Sequence, residues 1–536
     1  VSLLLLLPKE KDHLEYTLDR PKNKTDDCWH IALKGLPETT LYSYLITPKN
    51  NNSSYRLIDP YARSLNTHNK WGQHPFQNDV WGVILNQKFD WKDAQKPLIN
   101  LEDLVIYEMH VRGFTQSPSS KVKSPGGFLG IVEKLDSLKE LGINAIELLP
   151  VFEFNENETS VFQNPLQRDL CNYWGYSTLH FFSPMNRFAS NSNLGTSIEE
   201  FKTLVKEAHH RGIEIILDVV FNHTGEHFLR PPLFSFKGLS KDSYYMNHNG
   251  EDVNYSGCGN TFNPNDPICK NFIIDVLHYW SQEMQVDGFR FDLGAILARD
   301  SKGTPLKSPP LIESLENDLL LKNTKLIMEP WDAAGLHLLD SFPNRQRFSY
   351  WNDKFRDTTR KFIKGSPEIK KHFASCFSGS EFLFHELKSP LHSLNYITCH
   401  DGMSLQDLIS YNNKHNEGNG EQGRDGSNHE ESWNCGQEGA SSNPNILRLR
   451  QRQTKNFFVA LLCSQGVPMI SMGDEYGHTK YGNNNSWSHD NDLNWFQWNL
   501  HKKQAPLRGF LKNLLLLRRD FPCLHQKQFL TDRLIP

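Results

Sequence analysis

Three acids, Asp292, Glu329 and Asp401, each close a short apolar segment of the chain. The segments read GFRFD (Gly288 to Asp292), KLIMEPW (Lys325 to Trp331) and NYITCHDG (Asn395 to Gly402). Each has the composition of a buried strand with one carboxylate where the strand stops. Inside such a strand an ionised acid is costly unless paired or hydrogen-bonded. At the mouth of a parallel barrel the same position is where catalytic groups sit. Three acids converging from three strands suit glycoside hydrolysis. One carboxylate attacks the anomeric carbon while a protonated partner gives its proton to the leaving oxygen.

The neighbours of these acids suggest roles. Residues two apart on a strand share a face, so Arg290 and Asp292 point together, while Phe289 and Phe291 point away toward flanking helices. A guanidinium beside Asp292 favours the ionised form that a nucleophile needs. Read alone, the same pair is equally a buried ion pair without chemistry. Glu329 lies between Leu326-Ile327-Met328 and Pro330-Trp331, where desolvation raises a carboxyl pKa toward the range of a general acid. Read alone, it is equally a helix-cap or loop acid. His400-Asp401 ends one segment and Asp218-Val219-Val220-Phe221-Asn222-His223 ends another. Two His and two Asp at one mouth suit hydrogen bonds to sugar hydroxyls. A metal centre is the competing reading. No two of these residues sit at ligand spacing on one element, so no metal and no cofactor is assigned.

The elements that must position these residues alternate. From Leu104 the chain reads as strand, helix, strand, the pattern of a parallel sheet. Strands are expected at Leu104 to Met109, Asn144 to Leu148, Glu214 to Val219, from Gly288, Leu326 to Glu329, Arg347 to Trp351, Tyr396 to Cys399 and Pro468 to Ser471. Helices are expected at Ile131 to Leu141, Ser197 to Arg211, Cys269 to Glu283, Asn456 to Cys463 and Leu507 to Arg519. Eight strands with intervening helices make a (β/α)₈ barrel, an α/β fold of the TIM type. The loops Val151 to Leu194, Thr224 to Pro267 and Met403 to Asn443 are far longer than the usual few residues. All three follow the C-terminal end of a strand and crowd one face, where long loops shape binding sites.

Residues 1–100 read as a small, partial β-sandwich with its connector. Val1 to Leu7, Trp29 to Leu33 and Leu41 to Ile46 have strand composition, and Asn50 to Ser54 reads as a loop. Residues 101–521 make the barrel, and 522–536 read as the start of a truncated C-terminal domain. The chain opens on Val1 rather than Met, which suggests a piece of a longer sequence. Val1 to Leu7 lacks the basic flank and cleavage site of a secretory signal.

With 536 residues, 38% hydrophobic and 22% charged, the chain buries a large core. A net charge of −4 and no basic run give no nucleic-acid partner. No apolar stretch is long enough to span a bilayer, so no membrane partner is expected. Nine Cys form neither a C-x-x-C pair nor a zinc pattern, which favours reduced thiols and a cytoplasmic setting. Oligomeric state has no sequence signal.

In order along the chain, DVVFNH, GFRFD, the Glu of LIMEPW and the His-Asp of CHDG resemble the four signature regions of the α-amylase superfamily, glycoside hydrolase family 13. The resemblance covers roughly residues 100 to 520. It implies a retaining enzyme with Asp292 as nucleophile, Glu329 as acid/base and Asp401 as transition-state stabiliser. It further implies that Arg290, His223 and His400 bind substrate and that Asp218 is the structural acid of the first region. Asn172-Tyr173-Trp174-Gly175-Tyr176, Ser256-Gly257-Cys258-Gly259-Asn260-Thr261, Gly473-Asp474-Glu475 and Tyr481-Gly482-Asn483-Asn484-Asn485 are similar to isoamylase-type debranching enzymes, with bacterial glycogen-debranching enzymes fitting best. The N-terminal part resembles the second half of a starch- and glycogen-binding module. The implied partner is a branched α-glucan, glycogen or its limit dextrin, with Tyr173, Trp174 and Tyr176 as candidate stacking platforms. Core packing in the long loop accounts for any one of those three equally well. A branching enzyme or other glucan transferase would use the same site, and a silent glucan-binding subunit would need none of the acids.

Overall fold

The structure, a computed structural model, describes residues 1–536 apart from 27, 49–52, 74–79, 87, 159–169, 229–233, 344–345 and 531–536. The N-terminal part is a five-stranded antiparallel sheet of β1 (Ser2–Leu6), β2 (Leu14–Thr17), β3 (Leu41–Ile46), β4 (Tyr55–Leu57) and β5 (Gly82–Val83). The apolar opening of the chain is therefore a strand, and its Leu3, Leu4 and Leu5 are buried. Among the described residues Cys28–Trp29 pairs only with Lys24–Thr25, and residues 31–33 join no strand, so the expected strand from Trp29 to Leu33 is not formed. Most of the Asn50 to Ser54 loop lies outside the described residues.

A closed eight-stranded parallel barrel follows. Its strands are β6 (Ile106–Met109), β7 (Ala145–Leu148), β8 (Glu214–Val219), β9 (Gly288–Phe291), β10 (Lys325–Met328), β11 (Phe348–Trp351), β12 (Ser393–Asn395) and β13 (Val467–Ser471). They pair in chain order, and β13 closes on β6 through Met469 opposite Ile106. The fold expected from the alternating pattern is the fold observed.

Side-chain alternation layers the barrel interior. Leu104, Ile106, Ala145, Ile216, Ile327, Leu394, Val467 and Met469 fill the lower part. Burying each Leu or Ile there contributes roughly 1.5–3 kcal/mol. One inward position further along the strands the composition turns polar, with Glu108, Glu147, Asp218 and Arg290 all buried. On the other face Phe289 and Phe291 join the larger core between strands and helices, as their spacing predicts.

Helix stops follow local chemistry. The helix Leu135–Leu141 ends at Gly142, whose φ of 109° admits the left-handed turn that returns its N–H to Leu138 O. Three expected elements of the barrel differ. The single helix expected from Ile131 to Leu141 is two, Phe128–Val132 and Leu135–Leu141. The helix before β13 spans Pro444–Cys463 and begins twelve residues earlier than its apolar stretch suggests, with the side chain of Asn443 capping the N–H of Asn445. The seventh strand is Ser393–Asn395 rather than Tyr396 to Cys399. Asn395 lies opposite Pro468, which has no N–H to continue the ladder. Beyond it, Arg360 donates to Ile397 O from Nε at 2.9 Å and from Nη2 at 2.7 Å, so that carbonyl is claimed by a helix.

The N-terminal sheet docks on the long loops at the barrel mouth. Ile58, Ala62, Leu65 and Val80 pack with Leu179 and Phe234, and Ile58 N donates to Phe234 O at 2.9 Å.

Candidate active site

The barrel mouth opens into a cavity of about 1150 Å³. That lies just above the roughly 300–1,000 Å³ of an ordinary small-molecule site and leaves room for more than one sugar unit. Asp292, Glu329, His223, His400 and Asp401 line it together with Trp174 and Tyr176.

Arg290 organises the floor. It is 1% exposed, projects inward from β9, and its Nη1 donates to Asp218 Oδ1 at 2.9 Å and to Asp292 Oδ1 at 2.8 Å. Its Nη2 lies 3.0 Å from Glu329 Oε2, and its guanidinium carbon stands 4.2 Å from the centre of the Trp351 ring. One planar cation therefore spaces three carboxylates from β8, β9 and the end of β10.

The environments of the acids differ. Burial pushes Glu329 up to about 8, against the pull of Arg290. Its Oε2 also accepts the N–H of Leu293 at 2.6 Å, and Leu293 adopts a left-handed φ of 44° there. Asp292 accepts from Arg290 on one oxygen and from Asn222 Nδ2 on the other at 2.7 Å. Burial raises Asp218 to about 6, and Tyr176 donates its hydroxyl to Asp218 at 2.5 Å.

The two histidines are held differently. Asn222 spends its amide nitrogen on Asp292, so its Oδ1 faces His223 Nδ1 at 2.5 Å. The network thus assigns the His223 proton to Nδ1. Burial lowers the pKa of His223 to about 4, leaving Nε2 a bare acceptor without a partner among the described residues. His400 Nδ1 lies 2.7 Å from Glu108 Oε1. Burial opposes its charge, but the Glu108 carboxylate outweighs that and raises the pKa. Tyr176 stacks on its ring at 5.1 Å, and Trp174 meets it edge-on at 4.8 Å.

Every expected site residue but one comes to this cavity or its floor. Asp401 is exposed to the cavity but follows β12 by six residues rather than ending a strand. Tyr173 is the exception. It is 1% exposed, turned into the core and stacked on His110 at 4.0 Å, with its hydroxyl unpartnered among the described residues. Packing, rather than a sugar platform, accounts for it. Glu108, Glu147, Asn222 and Trp351 belong to the site region and were missed. The signal for Glu108 and Glu147 was an acid at the inward position of an apolar strand. Trp331 and His337, stacked 6.0 Å apart, extend the cavity wall. All nine Cys are free thiols.

A model of the α-amylase catalytic domain matches residues 105–265. Isoamylase 1, chloroplastic, of Arabidopsis thaliana is 47% identical, over 94% of this chain and 69% of that protein. The Glycogen operon protein GlgX homolog of Haemophilus influenzae is 36% identical, over 96% of this chain and 80% of its own length. Among solved structures, pullulanase from Bacillus acidopullulyticus superposes with a TM-score of 0.78 at 26% identity, over 98% of this chain and 61% of that one. With the signature acids gathered at the mouth of an eight-stranded barrel, and with relatives this similar over nearly its whole length, the chain belongs to the isoamylase branch of the α-amylase superfamily.

Proposed function

We propose that the protein is a retaining glycoside hydrolase that removes α-1,6 branches from glycogen or a related α-glucan. The observation that carries this reading is the pair Asp292 and Glu329, held on the two terminal nitrogens of one guanidinium in unlike surroundings: Asp292 accepts from Arg290 and Asn222, while burial pushes the Glu329 carboxyl up. Retaining glycosidases need two such groups roughly 5–5.5 Å apart. The similarity to isoamylases supports the linkage.

Asp292 attacks the anomeric carbon and forms an ester as the bond to the bridging oxygen breaks. That oxygen takes the proton of Glu329 and leaves as the 6-hydroxyl of the main chain. Glu329, now a carboxylate, removes a proton from water. The water oxygen displaces Asp292, and two inversions restore the α configuration. Asp401 and His400 hydrogen-bond the distorted sugar, with gains that grow in the transition state. His223 Nε2, lacking a proton, accepts from a sugar hydroxyl.

The test is incubation with glycogen and with its phosphorylase limit dextrin, reading new reducing ends and released chain lengths. Hydrolysis gives one reducing end per branch removed, and Asp292→Ala abolishes it. Very short chains released mainly from the limit dextrin would mark glycogen breakdown, and long chains the trimming of a starch-like polymer. Redistributed chain lengths without new reducing ends would assign the site to glucan transfer instead.

A further inference from the structure

Beneath the cavity, β6 carries an acid that the chemistry above does not use. Alternation on β6 turns Ile106 and Glu108 inward, Ile106 into the apolar layer and Glu108 one position higher, where it is 2% exposed. Its Oε1 faces His400 Nδ1 at 2.7 Å, and its Oε2 accepts from Ser471 Oγ on β13 at 3.2 Å. The strand frame therefore fixes the carboxylate from two sides.

His400 itself sits on the chain that runs free of the barrel after β12. Its ring is clamped between Tyr176 on one face and the edge of Trp174, and its carbonyl accepts from Lys480 Nζ at 3.0 Å. With Nδ1 engaged by Glu108, Nε2 at the opposite side of the ring is the nitrogen left for the cavity that His400 lines. Among the described residues Nε2 has no protein hydrogen-bond partner.

We propose that Glu108 is a positioning residue, aiming His400 Nε2–H at the sugar whose anomeric carbon faces Asp292 and holding the ring as a hydrogen-bond donor. This rests on the glycosidase reading of the site. Carboxylate–histidine pairs act this way elsewhere: the acid fixes the tautomer and orientation of the ring and stabilises its charged form. The charges around His400 are Glu108 from β6, Asp218 from β8, Arg290 from β9, Asp401 from its own segment, Lys480 from the loop after β13, and the nearby His110. Arg290 and Lys480 oppose a further cation there, so the Glu108 carboxylate is the main group that permits it.

The decisive variant is Glu108→Gln, which keeps size and an acceptor but loses the charge. Its kcat/KM on a branched dextrin should fall about 10- to 100-fold, the range for losing such a partner. The alkaline limb of its pH profile should move to lower pH, because His400 then gives up its proton sooner. In a His400→Asn background the same change should cost almost nothing further, since the two residues act as one unit. A wild-type rate and pH profile for Glu108→Gln would overturn the proposal, and so would a full loss that persists without His400. Should Glu108→Gln fail to fold, Ser471→Ala decides. A few-fold loss with the same downward move of the limb supports the role, and an unchanged profile rejects it. Asp292→Ala separates the two readings. If it is active, the glycosidase assignment fails. If it is dead while Glu108→Gln and its pH profile are normal, only this inference does.

Discussion

Asp292 and Glu329 are joined through Arg290, whose Nη1 lies 2.8 Å from the first and whose Nη2 lies 3.0 Å from the second. Lysine is a point charge on a flexible stem and cannot serve two carboxylates from one rigid plane. Arg290→Lys is therefore expected to lower kcat by 10²-fold or more, with a smaller change in KM. Arg290→Ala additionally leaves buried carboxylates uncompensated and should cost about 3–5 kcal/mol of stability, read by thermal or denaturant unfolding. A lysine variant with near wild-type kcat would remove the bridge from the mechanism.

The pH dependence follows from Glu329, which must hold its proton when the bridging oxygen leaves. With its pKa raised to about 8, activity should decline through that region as the acid ionises. Glu329→Gln should lose roughly 10²–10⁴ in kcat and lack the Glu329 step of the alkaline limb, keeping only the step that belongs to His400. The same shift has a stability side. A folded pKa above the unfolded value near 4.3 means that the folded state binds the extra proton, so the penalty grows as pH rises from there toward 8. Glu329→Gln should consequently melt higher than wild type at pH 8 and match it near pH 4.

Glu147 offers a second case without catalysis. It is 1% exposed, and neither carboxyl oxygen has a partner among the described residues. Burial first, then Asp218, drives its pKa up. Replacing such a group by an apolar one of similar shape removes a desolvation cost of about 1–3 kcal/mol. Glu147→Leu should raise the unfolding midpoint, most clearly above neutral pH where the acid must stay protonated or pay for its charge. A variant that melts lower at pH 8 would show that Glu147 has a role its geometry does not reveal.

Tyr173 and Trp174 are neighbours with opposite expectations. The Tyr173 hydroxyl is buried without a partner, so Tyr173→Phe should leave KM unchanged and stability equal or slightly higher. Trp174 lines the cavity and braces His400, so Trp174→Ala should raise KM and lower kcat together. Substrate titrations on the two variants distinguish these outcomes.

Much of this site was legible in the chain because its signals are local. GFRFD and LIMEP place an acid at the end of an apolar run, and a strand's period of two sets Arg290 beside Asp292. Composition misled at Tyr396 to Cys399, which reads as a strand, since the ladder depends on what lies across from it. Pro468 and Arg360 are distant in sequence, and no local pattern announces them. Glu108 and Glu147 escaped notice for a related reason: each is a single polar letter in a short strand, and only barrel closure brings it under Arg290 and His400. The helix at Pro444 shows the converse, with Asn443-Pro444 a usable start signal obscured by the polar run that follows it.

The early end of β12 divides the cavity into two mechanical regimes. Asp292 and Glu329 ride at the ends of strands whose ladders run up to them, whereas Asp401 hangs on a stretch secured mostly through side chains, those of Arg360, Asp474, Glu108 and Lys480, with a backbone bond from Gly402 to Asn484 O just beyond it. Such tethers open at lower free energy than a strand ladder. On gradual heating, amide hydrogen exchange should quicken around residues 397–401 before it does in β9 or β10. Catalysis should then fade while the barrel is still folded, and return on cooling.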